Sequence, residues 1–372
     1  MIDTVTVPTG DAVLDLLPRL AAALDGSGPA LRPVPPGAVE LPVPDQVPDL
    51  ALVVPTSGST GMPKQVLLTA AALHHSAEAG QNRLHDGDPG HWLLTLPVHH
   101  IAGLNVLLRA VLAGREPVVM DTSAPFTPAA FAAAAARLPG GPTFVSLVPT
   151  QLHRLLTDPA GTEALQRFTA VLVGGAATAG SQLAAARAAG VAVVTSYGMS
   201  ETSGGCVYDG HPLDGVRAAL DAAGRIVLTG PVVAAGYAGQ PFAGSRFTTS
   251  DLGAWSDGRL VVLGRADDVL ITGGVNVSPQ AVEDALLGAA GLDQVVLTGV
   301  PDPEWGTRLV AVVVAGGDGP PVLADLRDRA TAAVGPASAP KEMVVLDAIP
   351  TLSPGKVDRA AVASLARAAL AR

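Results

Sequence analysis

The segment 52–64, LVVPTSGSTGMPK, joins a short apolar run to a loop of small and hydroxyl-bearing residues that ends at Lys64. The apolar run 52–54 predicts a buried strand. Backbone N–H groups and hydroxyls of such a loop can surround an anion, and the lysine adds a positive charge suited to phosphate. The loop is not a Walker A motif, because Pro63 precedes the lysine and Gln65 follows it. We therefore expect this loop to bind phosphate groups rather than to be an ordinary surface loop.

Apolar runs alternate with helical stretches on both sides of this loop. The residues before it, 28–50, are rich in proline and predict an extended connector. Strands are expected at 50–55, 92–97, 116–120, 144–148, 170–173 and 191–196, and helices at 12–24, 103–113, 128–137 and 181–189. This rhythm predicts parallel βαβ units with right-handed crossovers.

The pattern changes at about Gly224, where short strands alternate with turns that contain Gly and Asp. Strands at 225–229, 260–263 and 269–271 predict a small, antiparallel, barrel-like β section. A compact α+β unit is expected next, with helices at 279–287 and 323–333 and strands at 294–300, 309–315 and 343–346. The predicted fold class is therefore α/β, with a large N-terminal domain at residues 1–266 and a small α+β domain at 267–372.

Composition narrows the functional classes. The 372 residues carry a formal net charge of −10, which argues against a nucleic-acid-binding protein. The single cysteine, Cys206, excludes an internal disulfide framework, and no uninterrupted apolar run of about 20 residues exists. With no basic segment at the N-terminus, the chain is expected to be a soluble cytoplasmic protein. Only three of the 23 basic residues are lysines (Lys64, Lys341 and Lys356), so we expect a lysine to mark a place that needs a compact ammonium group.

A second motif, 196–202 (SYGMSET), directly follows the apolar run 191–194. At the carboxyl end of a strand, the ring of Tyr197 could stack on a nucleobase, Ser200 could contact phosphate, and Glu201 could bind Mg²⁺. A strand–helix junction capped by a hydroxyl would have the same pattern.

Three further segments complete the set of motifs. Asp251, in 247–253, could bind ribose hydroxyls, although a turn residue would also fit this position. The segment 264–279 is rich in Gly and Asp. Lys356 lies in a loop flanked by Pro and Gly, 350–359, near the C-terminus, where mobility is expected.

These five segments, in this order and spacing, resemble the motifs of the adenylate-forming superfamily, which includes acyl-CoA synthetases, nonribosomal-peptide adenylation domains and luciferases. The resemblance covers residues 56–359. It implies that a carboxylate attacks the α-phosphate of ATP with release of pyrophosphate, and that a thiol then displaces AMP. It therefore implies ATP, Mg²⁺ and the co-substrate CoA, and a mobile C-terminal domain that rotates about a hinge near Asp267.

The resemblance also implies roles for individual residues. The first loop would hold phosphate groups through Thr56, Ser57, Gly58, Ser59, Thr60, Gly61 and Lys64, with Thr60 also near the metal. The nucleotide-binding segments would contribute Gly174, Gly175, Ala176, Ser196, Tyr197, Gly198, Asp251 and Arg265, with Ser200 on phosphate and Glu201 on Mg²⁺. Lys356 would bridge the carboxylate and the α-phosphate, and Gly273 and Gly274 would let a thiol-bearing arm approach the backbone closely.

The chain departs from the superfamily pattern in three respects. Gln65 and Ser250 stand where the superfamily usually has glycine. The phosphate loop begins at residue 56, far earlier than is common in the superfamily, so we expect the large domain to be abridged at its N-terminal side.

Two features indicate the substrate. His100, in 96–104, matches the superfamily position at which a histidine lines the acyl pocket. The resemblance therefore implies that His100, like Lys356, is a catalytic residue. The stretch 197–210 is similar to the short o-succinylbenzoate–CoA ligases of menaquinone biosynthesis, which implies a small aromatic dicarboxylate as substrate. The second carboxylate of that substrate would need donors, for which the candidates are His100, Arg109 and the backbone at 204–205.

Other readings stay open at this stage. One is a CoA ligase for another small aromatic acid, and another is a stand-alone adenylation enzyme that loads a carrier protein. A third is an inactive protein that keeps the nucleotide pocket, but the joint presence of Lys64, Glu201, Asp251 and Lys356 argues against it. Neither nucleic acid nor a membrane is expected as a partner, and the oligomeric state stays open, with a homodimer among the options.

Overall fold

The computed structural model describes residues 1–42, 47–56, 64–317, 319–352 and 356–370, and of Lys356 it describes the backbone. The strands in chain order are β1 (Ile2–Thr6), β2 (Ala30–Val34), β3 (Leu50–Thr56), β4 (Lys64–Thr69), β5 (His91–Leu94), β6 (Val118–Val119), β7 (Thr143–Leu147), β8 (Ala170–Gly174), β9 (Val193–Met199), β10 (Gly204–Tyr208), β11 (His211–Pro212), β12 (Arg217–Leu220), β13 (Arg225–Thr229), β14 (Gly236–Tyr237), β15 (Gln240–Pro241), β16 (Arg246–Ser256), β17 (Arg259–Arg265), β18 (Leu270–Thr272), β19 (Val275–Val277), β20 (Leu292–Asp302), β21 (Gly306–Ala315), β22 (Glu342–Leu346), β23 (Thr351–Leu352) and β24 (Lys356–Val357). The helices are α1 (Leu17–Leu24), α2 (Ala70–His85), α3 (Ile101–Ala113), α4 (Pro128–Ala135), α5 (Pro149–Leu156), α6 (Pro159–Leu165), α7 (Gly180–Ala188), α8 (Pro279–Leu286), α9 (Leu323–Ala333) and α10 (Arg359–Leu370).

A seven-stranded sheet forms the centre of the large domain, in the order β11-β10-β9-β8-β7-β5-β6. Its strands from β9 to β6 are parallel, and β10 and β11 add an antiparallel edge. Successive residues of β7 face different cores: Phe144 belongs to the cluster under α2 and α3, and Val145 to the cluster under α4 to α7. Burial on both faces explains why these strands are continuous apolar runs.

The carboxyl ends of the parallel strands meet at one edge of this sheet. β8 ends there at Gly174, and β9 ends at Met199. His100 follows β5 and precedes α3 at the same edge. Open parallel sheets bind ligands outside this edge, so the topology brings three separately predicted segments to one place.

A six-stranded mixed sheet, β1-β2-β3-β4-β14-β15, carries the first loop. β1, β2 and β3 are parallel, whereas β3 and β4 form an antiparallel pair that closes with Thr56 opposite Lys64. The predicted phosphate loop therefore connects two neighbouring strands of a hairpin.

The antiparallel section is an open four-stranded sheet, β12-β13-β16-β17, rather than the barrel-like arrangement expected, and the strand predicted at 269–271 lies instead in the separate hairpin β18–β19. The small domain contains the three-stranded sheet β20-β21-β22 with α8 and α9 on one face and α10 on the other. Two separate hairpins, β18–β19 and β23–β24, belong to the same part of the chain.

The predicted fold class is confirmed, whereas two further local expectations are wrong and several helices, among them α2, were not predicted. The connector predicted at 28–50 contains β2, which is fully buried because it pairs between β1 and β3 despite its proline. The helix expected at 12–24 is α-helical only from Leu17, after a 3₁₀ segment at Gly10–Leu16. α2 was not expected at all, although Thr69 caps its first turn. Within the described ranges, no helix has the length and apolarity needed to cross a membrane.

Candidate active site

The base of the first loop is held by side chains on both of its strands. The Thr56 hydroxyl donates to the carbonyl of Lys64 over 3.4 Å. Gln65, which stands where the superfamily has glycine, is buried and accepts a hydrogen bond from Arg32 over 2.7 Å. Ser57, Gly58, Ser59, Thr60 and Gly61 lie outside the described residues, so their predicted phosphate contacts stay predictions.

Lys64 and Glu201 meet at a residue that the sequence reasoning did not single out, Tyr237. The Tyr237 hydroxyl donates to Oε1 of Glu201 over 2.7 Å. The Lys64 ammonium lies 4.9 Å from the centre of the Tyr237 ring. Burial and the hydrogen bond to Glu201 raise the pKa of Tyr237, so the phenol stays protonated and acts as a donor. The predicted phosphate lysine and metal carboxylate thus flank a single ring.

Tyr197, Asp251 and Arg265 form a second cluster. The Tyr197 hydroxyl donates to Oδ2 of Asp251 over 2.7 Å, and Oδ1 of Asp251 lies 3.7 Å from the Arg265 guanidinium. The last two residues are directly opposed in the β16–β17 pair, which fixes their distance. Burial, followed by the negative charge of Asp251, raises the pKa of Tyr197. We refer to this cluster and the Lys64–Tyr237–Glu201 cluster together as the tyrosine edge.

Glycines let backbone segments approach each other between the two clusters. A Cβ at Gly174 would lie 2.6 Å from the carbonyl oxygen of Ser196, its partner across the β8–β9 pair. Gly175 has φ of +80°, a conformation that favours glycine, and Ala176 follows it. A Cβ at Gly198 would collide with the backbone of β10, 2.7 Å from Cα of its second residue. The predicted nucleotide segments are therefore adjacent because side chains are absent there.

Ser203 follows the turn that carries Ser200 and Glu201 and fixes it through buried hydrogen bonds. It is a second residue that was not predicted from the sequence. Ser203 is fully buried with φ of +55°, an uncommon conformation for a residue with a side chain. Its carbonyl accepts hydrogen bonds from the Ser76 hydroxyl at 3.1 Å and the Asn105 amide at 3.0 Å. Its hydroxyl donates to a backbone carbonyl in the segment before β14 over 2.8 Å.

His100 precedes α3, and its backbone N–H donates to the carbonyl of Pro97 over 3.1 Å. Gly103 allows this close approach, because a Cβ there would lie 2.5 Å from the Pro97 carbonyl oxygen. The rings of His99 and His100 are 4.2 Å apart, and burial lowers the pKa of His99. His100 thus lies at the predicted edge of the sheet.

Arg109 is buried on the same helix, α3. Its guanidinium lies 4.7 Å from the Trp92 ring and 3.5 Å from the Tyr208 hydroxyl, and its Nε has no hydrogen-bond partner. Across the described parts of the chain, no carboxylate forms an ion pair with it. A buried cation without an anionic partner is costly, so this position is suited to a negative group from elsewhere.

The small domain contributes two hairpins. Gly273 and Gly274 form the β18–β19 turn with φ of +55° and +78°, and the Gly273 N–H donates to the carbonyl of Trp305 over 2.9 Å. The Lys341 ammonium lies 4.3 Å from the centre of the Trp305 ring. Lys356 begins β24 in the other hairpin, but its side chain and residues 353–355 lie outside the described set, so its catalytic role stays a prediction.

Scarcity of tyrosine is the sequence signal that could have found Tyr237. The chain has three tyrosines, and each makes a hydrogen bond with an ionisable side chain: Tyr197 with Asp251, Tyr208 with Arg109, and Tyr237 with Glu201. A tyrosine in this chain, like a lysine, therefore marks a position that needs its particular side chain.

Comparison with known proteins gives two family matches. Residues 4–238 match the sequence pattern of AMP-binding enzymes, and residues 281–356 match that of the AMP-binding enzyme C-terminal domain. The chain is 48% identical to "Probable 2-succinylbenzoate–CoA ligase" of Mycobacterium tuberculosis, over 96% of both chains. It is 33% identical to the 2-succinylbenzoate–CoA ligase of Geobacillus kaustophilus over 77% of this chain and 64% of that protein.

Solved structures agree with the fold. The o-succinylbenzoate CoA synthetase (MenE) of Bacillus subtilis, in complex with the acyl-adenylate intermediate OSB-AMP, is 25% identical, with a TM-score of 0.72. The alignment covers 92% of this chain and 80% of that one. ATP-bound MatB of Rhodopseudomonas palustris has a TM-score of 0.75 at 24% identity, over 98% of this chain and 78% of that one, which supports the fold alone.

Proposed function

The chain belongs to the AMP-binding enzyme family, and we propose that it is an ATP-dependent ligase that joins 2-succinylbenzoate to CoA in menaquinone biosynthesis. The observation that carries the proposal is the 48% identity, over nearly the full length of both chains, to a protein with that name. The arrangement of the tyrosine edge and of Arg109 gives it a physical basis.

The proposed reaction has two steps. A carboxylate oxygen of the substrate forms a bond to the α-phosphorus of ATP while the bond to pyrophosphate breaks, which gives the acyl-adenylate. The CoA sulfur then forms a bond to the acyl carbon, the bond from that carbon to the AMP oxygen breaks, and the thiol proton is lost. Two anions must meet in the first step, so catalysis consists mainly of positioning and charge neutralisation.

The Tyr197–Asp251–Arg265 cluster is suited to the nucleoside. Asp251 accepts hydrogen bonds, and ribose hydroxyls are donors that can use its remaining lone pairs. The ring of Tyr197 is half-buried and fixed by its hydroxyl, and we assign it to stacking on adenine. Gly174, Gly175 and Ala176 present backbone rather than bulky side chains beside it.

Glu201 fits a Mg²⁺ ion that is held jointly with the nucleotide. No group of three or more candidate ligand side chains occurs in the described portion of the chain. A single carboxylate completed by phosphate oxygens and water is the usual protein environment of Mg²⁺. Thr60 is the second candidate ligand. When bound, the ion would neutralise phosphate charge. The protein would hold the Glu201 carboxylate in a fixed orientation for it.

The small domain is proposed to contribute one lysine and one glycine turn. Lys356 is assigned to the carboxylate and α-phosphate during adenylation, and the Gly273-Gly274 turn to the thioester step. A domain boundary near 266–267, with the hinge at Asp267, would allow each to face the large domain in turn. Asp267 accepts a hydrogen bond from Arg265 over 2.9 Å, which joins the proposed hinge to the tyrosine edge.

Arg109 is the best-supported partner for the second carboxylate of the substrate. Its buried charge has aromatic neighbours and no acidic partner among the described residues, so a carboxylate would remove an electrostatic cost. His100 lies at the amino end of the same helix, and the Gly204-Gly205 backbone is in the neighbouring strand β10. A substrate without the second carboxylate would leave Arg109 unpaired.

The test is a pyrophosphate-exchange screen with equal concentrations of 2-succinylbenzoate, benzoate, salicylate and a monocarboxylate analogue that lacks the succinyl carboxylate. We expect 2-succinylbenzoate to have the highest kcat/KM by at least tenfold. The variant Arg109→Met should reduce this preference rather than lower all rates equally. If salicylate or benzoate is preferred by tenfold, the substrate assignment is wrong and the ligase class stands.

A further inference from the structure

We propose that Tyr237 is a positioning residue for metal–nucleotide binding, because it orients the Glu201 carboxylate and separates it from the Lys64 ammonium. The proposal rests on the proposed function, in which Glu201 takes the metal and Lys64 takes phosphate.

Contacts at the two parts of the Tyr237 side chain carry the inference. The hydroxyl reaches Oε1 of Glu201 at 2.7 Å, and the ring face lies 4.9 Å from the Lys64 ammonium. Glu201 and Lys64 are both described by the structure and form no direct ion pair with each other there. A direct pair would neutralise both charges, whereas the intervening tyrosine leaves the ammonium for phosphate and the second carboxylate oxygen, Oε2, for a cation.

The backbone and an aromatic stack hold Tyr237 in this place. In the β4–β14 pair it lies opposite Val66, two residues beyond Lys64, so the strand register sets the position of the ring relative to the lysine. Phe242 packs edge-on against the ring with 5.1 Å between centroids. The N–H of Ala234 donates to the carbonyl of Glu201 over 2.9 Å, so backbone and side chain of the glutamate are both tied to this segment.

If Glu201 holds a cation, the hydrogen bond from Tyr237 would act on that cation through the carboxylate. A phenol that donates to one oxygen of a carboxylate restricts its rotation and directs the other oxygen. Loss of such a partner typically weakens metal binding by about 10- to 100-fold.

The test compares ATP binding with and without the metal. The dissociation constant of ATP is measured by calorimetry in saturating Mg²⁺ and again in EDTA. The constant in EDTA divided by the constant in Mg²⁺ is the ratio that reports how much the metal strengthens binding. Tyr237→Phe keeps the ring beneath Lys64 and removes only the hydroxyl. We expect its ratio to fall by about tenfold while its ATP affinity in EDTA stays near that of the wild type.

Tyr197→Phe is the matched control, because it removes the same kind of hydrogen bond at the other cluster. It should weaken ATP binding by a similar factor in both conditions and leave the ratio unchanged. Glu201→Gln should abolish most of the Mg²⁺ effect. If the ratio is unchanged in Tyr237→Phe but falls to about 1 in Glu201→Gln, the inference is overturned and the proposed function stays intact. An unchanged ratio in Glu201→Gln would overturn the metal assignment of Glu201 and the inference with it, while the ligase function is tested separately by the pyrophosphate-exchange screen.

Discussion

Tyr197, Asp251 and Arg265 hold one another by side-chain contacts between two sheets, whereas the hairpin at Gly273 and Gly274 is held by a backbone hydrogen bond and the face of Trp305. The tyrosine edge is held by contacts within the protein, because the hydroxyls of both its tyrosines donate to carboxylates. The turn in the small domain instead presents a short backbone segment with no side chains. This difference is consistent with our proposal that the large domain binds the nucleotide and the small domain supplies one group for each step.

The largest effect should follow from loss of Lys356. Lys356→Ala removes the cation assigned to the reacting carboxylate and α-phosphate, so we expect adenylation to slow by about 10²–10³-fold, or about 3–4 kcal/mol of barrier. Transfer from preformed acyl-adenylate to CoA should keep most of its rate, because the Gly273-Gly274 turn is unchanged. Single-turnover assays of the two steps check this, with the exposed Arg367→Ala as the control in the same domain. Equal losses in both steps would contradict the division between the two regions.

A pair of glycine substitutions tests how tightly each region is packed. A Cβ at Gly198 would meet the backbone of β10, so Gly198→Ala should lower the free energy of unfolding by about 3 kcal/mol. At Gly274 nothing lies within 4 Å of an added Cβ, and the positive φ alone should cost about 1 kcal/mol. Urea unfolding of both variants measures the difference. A larger decrease in the free energy of unfolding for Gly274→Ala than for Gly198→Ala would show that the small-domain turn is more constrained than the tyrosine edge.

Asp251→Asn weakens the tyrosine edge without changing its shape. The substitution replaces charge-assisted contacts to Tyr197 and Arg265 with neutral ones, and hydrogen bonds to charged groups contribute about 1.5–3 kcal/mol. We therefore expect the KM for ATP to rise by about 10- to 100-fold, with a smaller change in the KM for CoA. Steady-state kinetics with each substrate varied in turn tests this, and an equal rise in both constants would argue against a nucleoside role for Asp251.

Sequence reasoning predicted the tyrosine edge only in part, for a physical reason. Tyr197 was predicted from its motif after the apolar run 191–194, whereas the ribose role of Asp251 is implied by the superfamily resemblance alone. In the structure both residues lie within strands, Tyr197 in β9 and Asp251 in β16. Tyr237 could not be placed, because its role depends on the pairing of β14 with β4, which lies far away in the chain. β2 was missed for a similar reason: its proline indicates a loop locally, and only its two neighbouring strands make it part of a sheet.

The smallest predicted effect is a pH dependence of the free energy of unfolding that arises from His99, the neighbour of His100. Burial lowers the pKa of His99 below its ordinary value of about 6.5, so below that pH the unfolded chain takes up a proton more readily than the folded protein does. The free energy of unfolding should therefore decrease as the pH falls from 6.5 toward the lower pKa of the folded state. His99→Gln should reduce the difference in stability between pH 7.5 and pH 5.5, measured by urea unfolding, whereas the exposed His74→Gln should retain it. A wild-type pH dependence in His99→Gln would show that His99 is not the group responsible.

The most direct test of the two-step account is whether the acyl-adenylate forms before, and independently of, the CoA thioester. In a rapid-quench experiment with enzyme, ATP, Mg²⁺ and 2-succinylbenzoate but no CoA, we predict one equivalent of acyl-adenylate per active site with release of pyrophosphate. Addition of CoA should then convert this adenylate to the thioester with release of AMP. Release of inorganic phosphate and ADP, or a requirement for CoA before any pyrophosphate forms, would contradict the account.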